Sequence, residues 1–400
     1  MHIYYITATY PYGNGESFLE EEIISLLEYG HSVTIVPRSI KGKVRKSFLK
    51  LHTKSNLSLL AKSILDFEII KVFTKFFLGS PLKLIKQISI IMKSPKKIHK
   101  NLFVLPKSTW LADKITKDNV DHVHVHWGGT TSSMVLLAGV IQDFQWSITC
   151  HRWDIYENNL LKIKSEKSKF MRLISDKGKI DVCKFGALDY KSFVIHMGVS
   201  VEDNIEIPIK NNNNEIFRIL CPANLIEVKG HKYLIQATQL LKEKGVRDFK
   251  IDIAGEGELK SEILDLIKKL DVENNFNFLG QIPHDELIAQ LKDGQYNLVV
   301  LPSVDLGKGL HEGIPVSLME AMSYGIPVIS TKTGSIPDLV NEFSGILVDE
   351  KNPIQICSQI IKLMYDDIYF KEKSSNGYFY VKKYFSIKKN VEKLINMINN

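Results

Sequence analysis

Between Tyr296 and Pro327 the chain reads as strand, glycine-rich loop and helix, and this order restricts the fold more than any other feature. The apolar run Tyr296–Leu301 has the length and unbroken hydrophobicity of a parallel strand buried on both faces. Gly307, Gly309 and Gly313 follow. Pro315 then suits the first helical position, where its missing N–H would be unpaired anyway. Gly325 can close the helix in a left-handed cap, and Pro327 stops it.

The start of that helix is an anion site, because its first N–H groups are free and its dipole is positive there. Two carboxylates bracket it. Glu312 lies in the loop before the helix, and Glu320 lies about 7 Å along the axis. A carboxylate repels a bound phosphate but accepts well from sugar hydroxyls on either side of one. A nucleotide sugar has that layout: ribose, diphosphate, donor sugar.

The same alternation recurs along the chain. Strand signals are His2–Ala8, Ser32–Val36, Val120–Trp127, Trp146–Cys150, Phe170–Ser175 and Phe193–Gly198. They resume with Phe217–Ala223, Phe249–Ala254, Phe276–Gly280, Pro327–Thr331 and Ile346–Asp349, with helical patterns between. Lys177–Lys184 reads as polar and irregular. The polar run 199–215, ending in Asn211–Glu215, marks a linker. The expected architecture is α/β, with two doubly wound units. Expected domains are 1–205, 206–375 and a C-terminal helix over 376–400.

With 400 residues and 44% apolar side chains, two full cores are expected. No apolar run approaches the ~18 residues that span a bilayer. The start MHIYYITATYPYG reads as a first strand and lacks the basic region of a signal peptide. Cys150, Cys183, Cys221 and Cys357 are scattered, which points to reduced thiols, a cytoplasmic location and no zinc site. The net charge of +7 is uneven: residues 41–107 hold 16 Lys/Arg against Asp66 and Glu68, an excess of +14. That segment is also apolar at helical spacing, as expected of a surface meeting anionic lipid at the inner face of the cytoplasmic membrane. Solvated helices on an α/β domain have the same pattern. No nucleic-acid-binding motif accompanies the charge.

His122, His124 and His126 share one face of a strand, but no carboxylate or cysteine nearby in sequence completes a metal site. No Asp-x-Asp pair follows a strand, so no metal or other cofactor is expected. The first strand leads into Gly13-Asn14-Gly15-Glu16-Ser17, a turn with backbone N–H groups to offer but without the third glycine of the dinucleotide fingerprint. A nicotinamide oxidoreductase is disfavoured on that ground.

Glu312, seven residues, then Glu320, within EGIPVSLMEAMSYGIPVIST, resembles the signature of the family 4 retaining glycosyltransferases, group 1 enzymes of the kind in bacterial surface polysaccharide assembly. The resemblance implies a GT-B fold: two Rossmann-like domains facing a cleft, the last helix crossing back to the first domain. It implies a nucleotide-sugar donor of UDP or GDP type and an acceptor hydroxyl, on a glycan or lipid-linked glycan. Implied catalytic residues are Glu312 on the donor sugar, Lys229 on the diphosphate and His151, followed three residues later by Asp154, beside the sugar. Implied donor-binding positions are Gly15, Glu16, Lys229, Gly230, Gly280 at the base, Gly313, Ile314, Pro315, Val316 and Glu320 at the ribose. Asn224 stands where the family has arginine, which removes one charge from the diphosphate site. Two other readings share the fold: a nucleotide-sugar epimerase, and an inactive glycan-binding relative.

Overall fold

The computed structural model describes residues 1–13, 15–207, 216–307 and 309–400. Residues 208–215 of the expected linker 199–215 lie outside the described residues. The chain divides into two compact units: Met1–His196 with Asn390–Asn400, and Met197–Lys389.

Unit 1 is built on β1 (His2–Thr7), β2 (Ser32–Pro37), β3 (Leu57–Leu59), β4 (His122–His126), β5 (Trp146–Cys150), β6 (Met171–Leu173) and β7 (Ser192–Val194). They form one sheet in the order β3-β2-β1-β4-β5-β6-β7, with every pairing parallel. Crossover helices cover both faces, which is why Ile3–Ile6 and Val123–Val125 are wholly buried. Strand β4 alternates valine with histidine, and β5 answers it. The register sets His124 opposite Ser147 and His126 opposite Thr149. His124 bonds Ser147 Oγ at 2.8 Å and Thr149 Oγ1 at 2.9 Å, and His122 bonds Ser147 Oγ at 2.7 Å. The buried imidazoles are thus satisfied by hydroxyls of the next strand.

Three local expectations change. Leu57–Leu59 is an edge strand on β2 inside the basic segment read as helical; three residues are too few to show a period. Lys177–Lys184 is helical, part of Asp176–Lys184, capped by Ser175 Oγ accepting from Gly178 N at 3.0 Å. The unit boundary falls at 196/197 instead of 205/206, and only Asn390–Asn400, not 376–400, group with unit 1. Met197–Val199 stays with unit 2 because Val199 exchanges backbone bonds with Phe385 and Ile387 at 2.9 and 3.0 Å. The end of the final helix, Ile387–Asn399, belongs to unit 1, where Leu394 and Ile398 pack on Phe170.

Unit 2 is built on β8 (Phe217–Pro222), β9 (Phe249–Ala254), β10 (Phe276–Gly280), β11 (Leu298–Leu301), β12 (Val328–Thr331) and β13 (Ile346–Val348). The sheet is again parallel, in the order β10-β9-β8-β11-β12-β13. Its core joins Ile219, Ile251, Val299 and Ile329 to Leu318 and Met322 of the helix Val316–Ser323. In each unit the strand order reverses once, at β1/β4 and at β8/β11, the place where open α/β sheets bind ligands beyond the strand ends.

Candidate functional site

At the β8/β11 reversal two loops meet. The chain leaving β8 passes Asn224 and the turn Glu227–Lys229 before Gly230. The chain leaving β11 passes Pro302 and Ser303 and returns at His311–Pro315. Lys229 Nζ lies 2.6 Å from Glu312 Oε2, and Ser303 Oγ lies 3.4 Å from the same oxygen. Two glycines permit this approach. Gly230 has φ +66°, and a Cβ there would stand 2.0 Å from the Pro302 carbonyl oxygen. Gly334 has φ +57°, and its Cβ would stand 1.9 Å from the Glu312 carbonyl oxygen. That carbonyl accepts from Ser335 N at 3.2 Å, so the Glu312 backbone is held from behind.

Pro315 is the N-cap, not the first helical residue: its ψ of 120° is extended, and the helix begins at Val316. The Pro315 carbonyl accepts from Leu318 and Met319 N–H at 3.2 and 3.3 Å. Among the described residues the N–H groups of Val316 and Ser317 meet no acceptor, as expected for a first turn. Gly313 has open space around it, while Ile314 packs on the core. Glu320 is buried on the next turn, with His284 Nε2 2.6 Å from its Oε1. Asn224 is exposed, and the loop after β9 connects its surroundings to Gly280. Leu225 N donates to the Glu256 carbonyl at 3.1 Å, and Glu256 Oε1 would lie 3.1 Å from a Cβ on Gly280. Unit 2 therefore joins Lys229, Gly230, Glu312 and Gly313–Val316 around one helix start, with Glu320 one turn further on.

Unit 1 holds the other candidates at the β1/β4 reversal. His151 follows β5 and is buried, its Nε2 3.3 Å from His126 Nδ1. His126 Nε2 lies 3.2 Å from Glu22 Oε1, and Arg172 Nη1 donates to Glu22 Oε2 at 2.6 Å. Tyr5 donates its hydroxyl to Glu22 at 2.7 Å. Burial, then His126 and Arg172, hold the His151 imidazole well below its usual range, so it is neutral at pH 7. Burial works to raise Glu22, but Arg172 and His126 hold its carboxyl well below the usual range. Asp154 accepts from the His151 and Gly128 N–H groups, the former at 2.7 Å, which fixes the turn that carries His151.

Two readings need correction. Glu16 is not turned outward with the glycine turn. Its carboxylate accepts from the N–H groups of Ala8, Thr9 and Tyr10 at 3.1, 2.6 and 2.7 Å and from the Trp127 indole, so it serves the chain leaving β1. Gly15 beside it is exposed, with open space around it. The histidine face of β4 does have a carboxylate neighbour. Glu22, distant in sequence, presents an oxygen within 4.8 Å of ligand nitrogens of His124 and His126. Arg172 already neutralises that carboxylate, and both His124 nitrogens are hydrogen-bonded, which suits a buried polar network better than a cation site.

Sequence reasoning missed Glu22, Arg172, Arg38 and Trp127. Trp127 has φ +77°, unusual for a bulky residue, and its ring centroid lies 4.4 Å from that of His151. Trp127-Gly128-Gly129 directly after a strand was the one signal available.

The family profile described as "Glycosyl transferases group 1" matches residues 202–396. The match takes in a little under half of the chain. It covers nearly all of unit 2, including every unit 2 residue placed above. The chain is similar to the amylovoran biosynthesis glycosyltransferase AmsK of Erwinia amylovora, at 29% identity over 60% of each chain. It is similar to the putative colanic acid biosynthesis glycosyltransferase WcaL of Escherichia coli (strain K12), at 37% identity over 46% of this chain and 45% of WcaL. The matches thus span at most 60% of these curated relatives. Among solved structures, Anabaena Alr3699/HepE in complex with UDP superposes with a TM-score of 0.72 at 14% identity, covering 100% of both chains. At that identity the likeness establishes the fold, two parallel-sheet α/β units of GT-B type.

Proposed function

We propose that this chain transfers a sugar from a UDP- or GDP-sugar to an acceptor hydroxyl, with retention at the anomeric carbon, in the assembly of a surface polysaccharide. One observation carries the reading: the Lys229–Glu312 pair sits at the strand-order reversal of the unit matched by the group 1 glycosyl transferase profile, beside a helix start with unpaired N–H groups. The diphosphate takes Lys229 and the N–H groups of Val316 and Ser317; stabilising the leaving group there lowers the barrier without a divalent ion. Glu312, released from Lys229, accepts from donor-sugar hydroxyls. Glu320 accepts from the ribose in place of His284. His151, neutral because it is buried, offers an imidazole to a sugar hydroxyl. Relatives named for amylovoran and colanic acid biosynthesis support a polysaccharide acceptor, and the UDP bound to HepE supports a nucleotide donor.

The acceptor is a lipid-linked glycan in this reading. Among the described residues no helix is long and apolar enough to cross a membrane. The helices Phe67–Gly79 and Pro81–Met92 instead leave Phe67, Leu78 and Leu82 exposed by 75–81% among Lys71, Lys75, Lys83 and Lys86. Such a face suits peripheral contact with anionic lipid. Pelleting with anionic liposomes at low salt, and release at high salt, is the expected outcome; a protein that stays in the supernatant at low salt removes the membrane part.

The main test is a panel of UDP-, GDP- and ADP-sugars screened for thermal stabilisation, followed by nucleoside diphosphate release with and without acceptor and with EDTA. One donor class stabilises, release needs acceptor, and EDTA leaves it unchanged. Conversion of the nucleotide sugar into its epimer, with no acceptor and no net nucleoside diphosphate release, would favour the epimerase, and stabilisation without any turnover the inactive relative.

A further inference from the structure

Unit 1 contains a cavity of about 910 Å³ at the β1/β4 reversal, lined by Ala8 after β1 and Trp127 after β4, within the usual size range of ligand pockets. Its wall carries aromatic and cationic groups that the preceding reading does not use. Trp127 and Trp153 line it, and Trp153 is 56% exposed with the Arg152 guanidinium 4.0 Å from its ring centroid. Flat, half-exposed rings with one apolar face suit the C–H face of a pyranose. The cations are Arg38, directly after β2, with Lys97 and Lys100. Lys97 and Lys100 share one carboxylate, Glu157, at 2.9 Å each. Arg38 is different. Its guanidinium makes no ion pair or hydrogen bond among the described residues; the side chain is half-buried, burial works against its charge, and the Glu16 and Glu157 carboxylates favour that charge without touching it. Arginine stays charged in proteins, and a guanidinium whose fork of N–H groups has no partner readily donates to a carboxylate or phosphate.

We propose that this cavity takes an acceptor saccharide carrying an anionic group, either a uronate carboxylate or a phosphate ester, with the sugar ring against Trp127 and Trp153 and the anion at Arg38. The role as acceptor rests on the glycosyltransferase reading; the selectivity for charged saccharide does not. The fork of Arg38 bonds the two anionic oxygens, and the surplus charge of Lys97 and Lys100 over Glu157 adds attraction at the mouth.

The test uses the full chain with no donor present, and measures binding by calorimetry. Four probes are compared: a glucuronate-terminated disaccharide, its neutral glucose counterpart, glucose 1-phosphate and inorganic phosphate. At least one charged saccharide binds about tenfold or more tighter than the neutral disaccharide, the scale of one charge-assisted bidentate contact. Whether the uronate or the phosphate is preferred identifies the source of the anion. Arg38→Gln abolishes the preference and leaves neutral binding unchanged, Arg38→Lys keeps part of it, and Trp153→Ala weakens charged and neutral saccharides alike. Equal affinity for charged and neutral saccharides, or a preference that survives Arg38→Gln, overturns the proposal. So does inorganic phosphate binding as tightly as glucose 1-phosphate, because the rings would then contribute nothing. Thermal stabilisation by nucleotide sugar, read in the same variants, separates the two ideas. If it persists while charge selectivity is missing, this inference alone fails; if it is missing in the wild type, the glycosyltransferase reading fails.

Discussion

At the β1/β4 reversal the strand ends are closed by buried side chains, whereas at the β8/β11 reversal they are closed by backbone. In unit 1, Glu22, Arg172, His126 and His151 bond to one another out of contact with solvent, and Glu16 ties three amides and an indole together. In unit 2 the glycines at 230 and 334 let bare chain approach bare chain, and the side chains Lys229 and Glu312 keep 19% and 14% of their exposure. The first arrangement is rigid and has used its charges; the second keeps charges that a ligand can recruit. One topology thus carries a buried polar network in one copy and a partly exposed ion pair in the other.

Acid should break this comparison most strongly. Burial holds His122 near pKa 3 and His124 and His151 well below the usual range, so all three are neutral when folded. The unfolded chain protonates them near pH 6.5, so their stabilisation is complete above that pH and is lost as pH falls. Asp154, pushed up to about 7 by burial, works the other way, because the folded form takes up its proton first. Three histidines against one carboxyl make unit 1 lose stability as pH falls below about 6.5. In unit 2 His231, held near 4 by burial, works in the same direction alone. Hydrogen exchange at pH 7.5, 6 and 5 should show unit 1 opening first. Equal loss in the two units would mean that the buried network is hydrated.

Arg172→Met tests the same network by subtraction. It leaves Glu22 charged and buried without its partner, and should cost about 3–5 kcal/mol in denaturant unfolding. Adding Glu22→Gln should recover part of the loss, because the stranded charge is then gone. Unit 2 should respond to the equivalent change in activity instead. Lys229→Ala removes the cation proposed to meet the leaving group, from a side chain that is 19% exposed. It should lower kcat by about 100-fold or more while stability changes by less than about 1 kcal/mol.

This contrast also explains what the sequence could disclose. The unit 2 site lies in short stretches, Lys229-Gly230 and Glu312–Glu320, in which spacing along one loop and one helix carries the geometry. The parallel sheets were legible for the same reason, since strand and helix periods are local. The unit 1 network joins residues 22, 126, 151 and 172, and nothing local relates them. Glu22 reads as one of several acids on a surface helix, and Arg172 sits in a strand of three residues that leaves its direction open. Glu16 reads in the sequence as a residue of the glycine turn facing a ligand, because a sequence does not reveal that three amides at the end of β1 find their acceptor in it. Leu57–Leu59 escaped because its partner strand, not its own pattern, makes it a strand.

Two glycines that look alike in sequence should differ in effect, and the second gives the smallest change. A methyl group at position 230 would collide with the Pro302 carbonyl at 2.0 Å and would have to keep φ at +66°. Neither the backbone of β11 nor the turn before the helix His231–Glu243 can give way cheaply, since both rest on the core. Gly230→Ala should therefore cost about 2–3 kcal/mol and pull Lys229 away from Glu312. Gly313 stands one residue from Glu312, inside the family signature, yet a methyl there meets nothing within 4 Å. Gly313→Ala should change stability by no more than about 0.5 kcal/mol. If it nevertheless weakens nucleotide-sugar binding in a thermal-shift titration, the open space beside Gly313 belongs to the ligand. If binding is unchanged, the diphosphate lies nearer Lys229 and the N–H groups of Val316 and Ser317 than the loop, which narrows the anion site to the helix start itself.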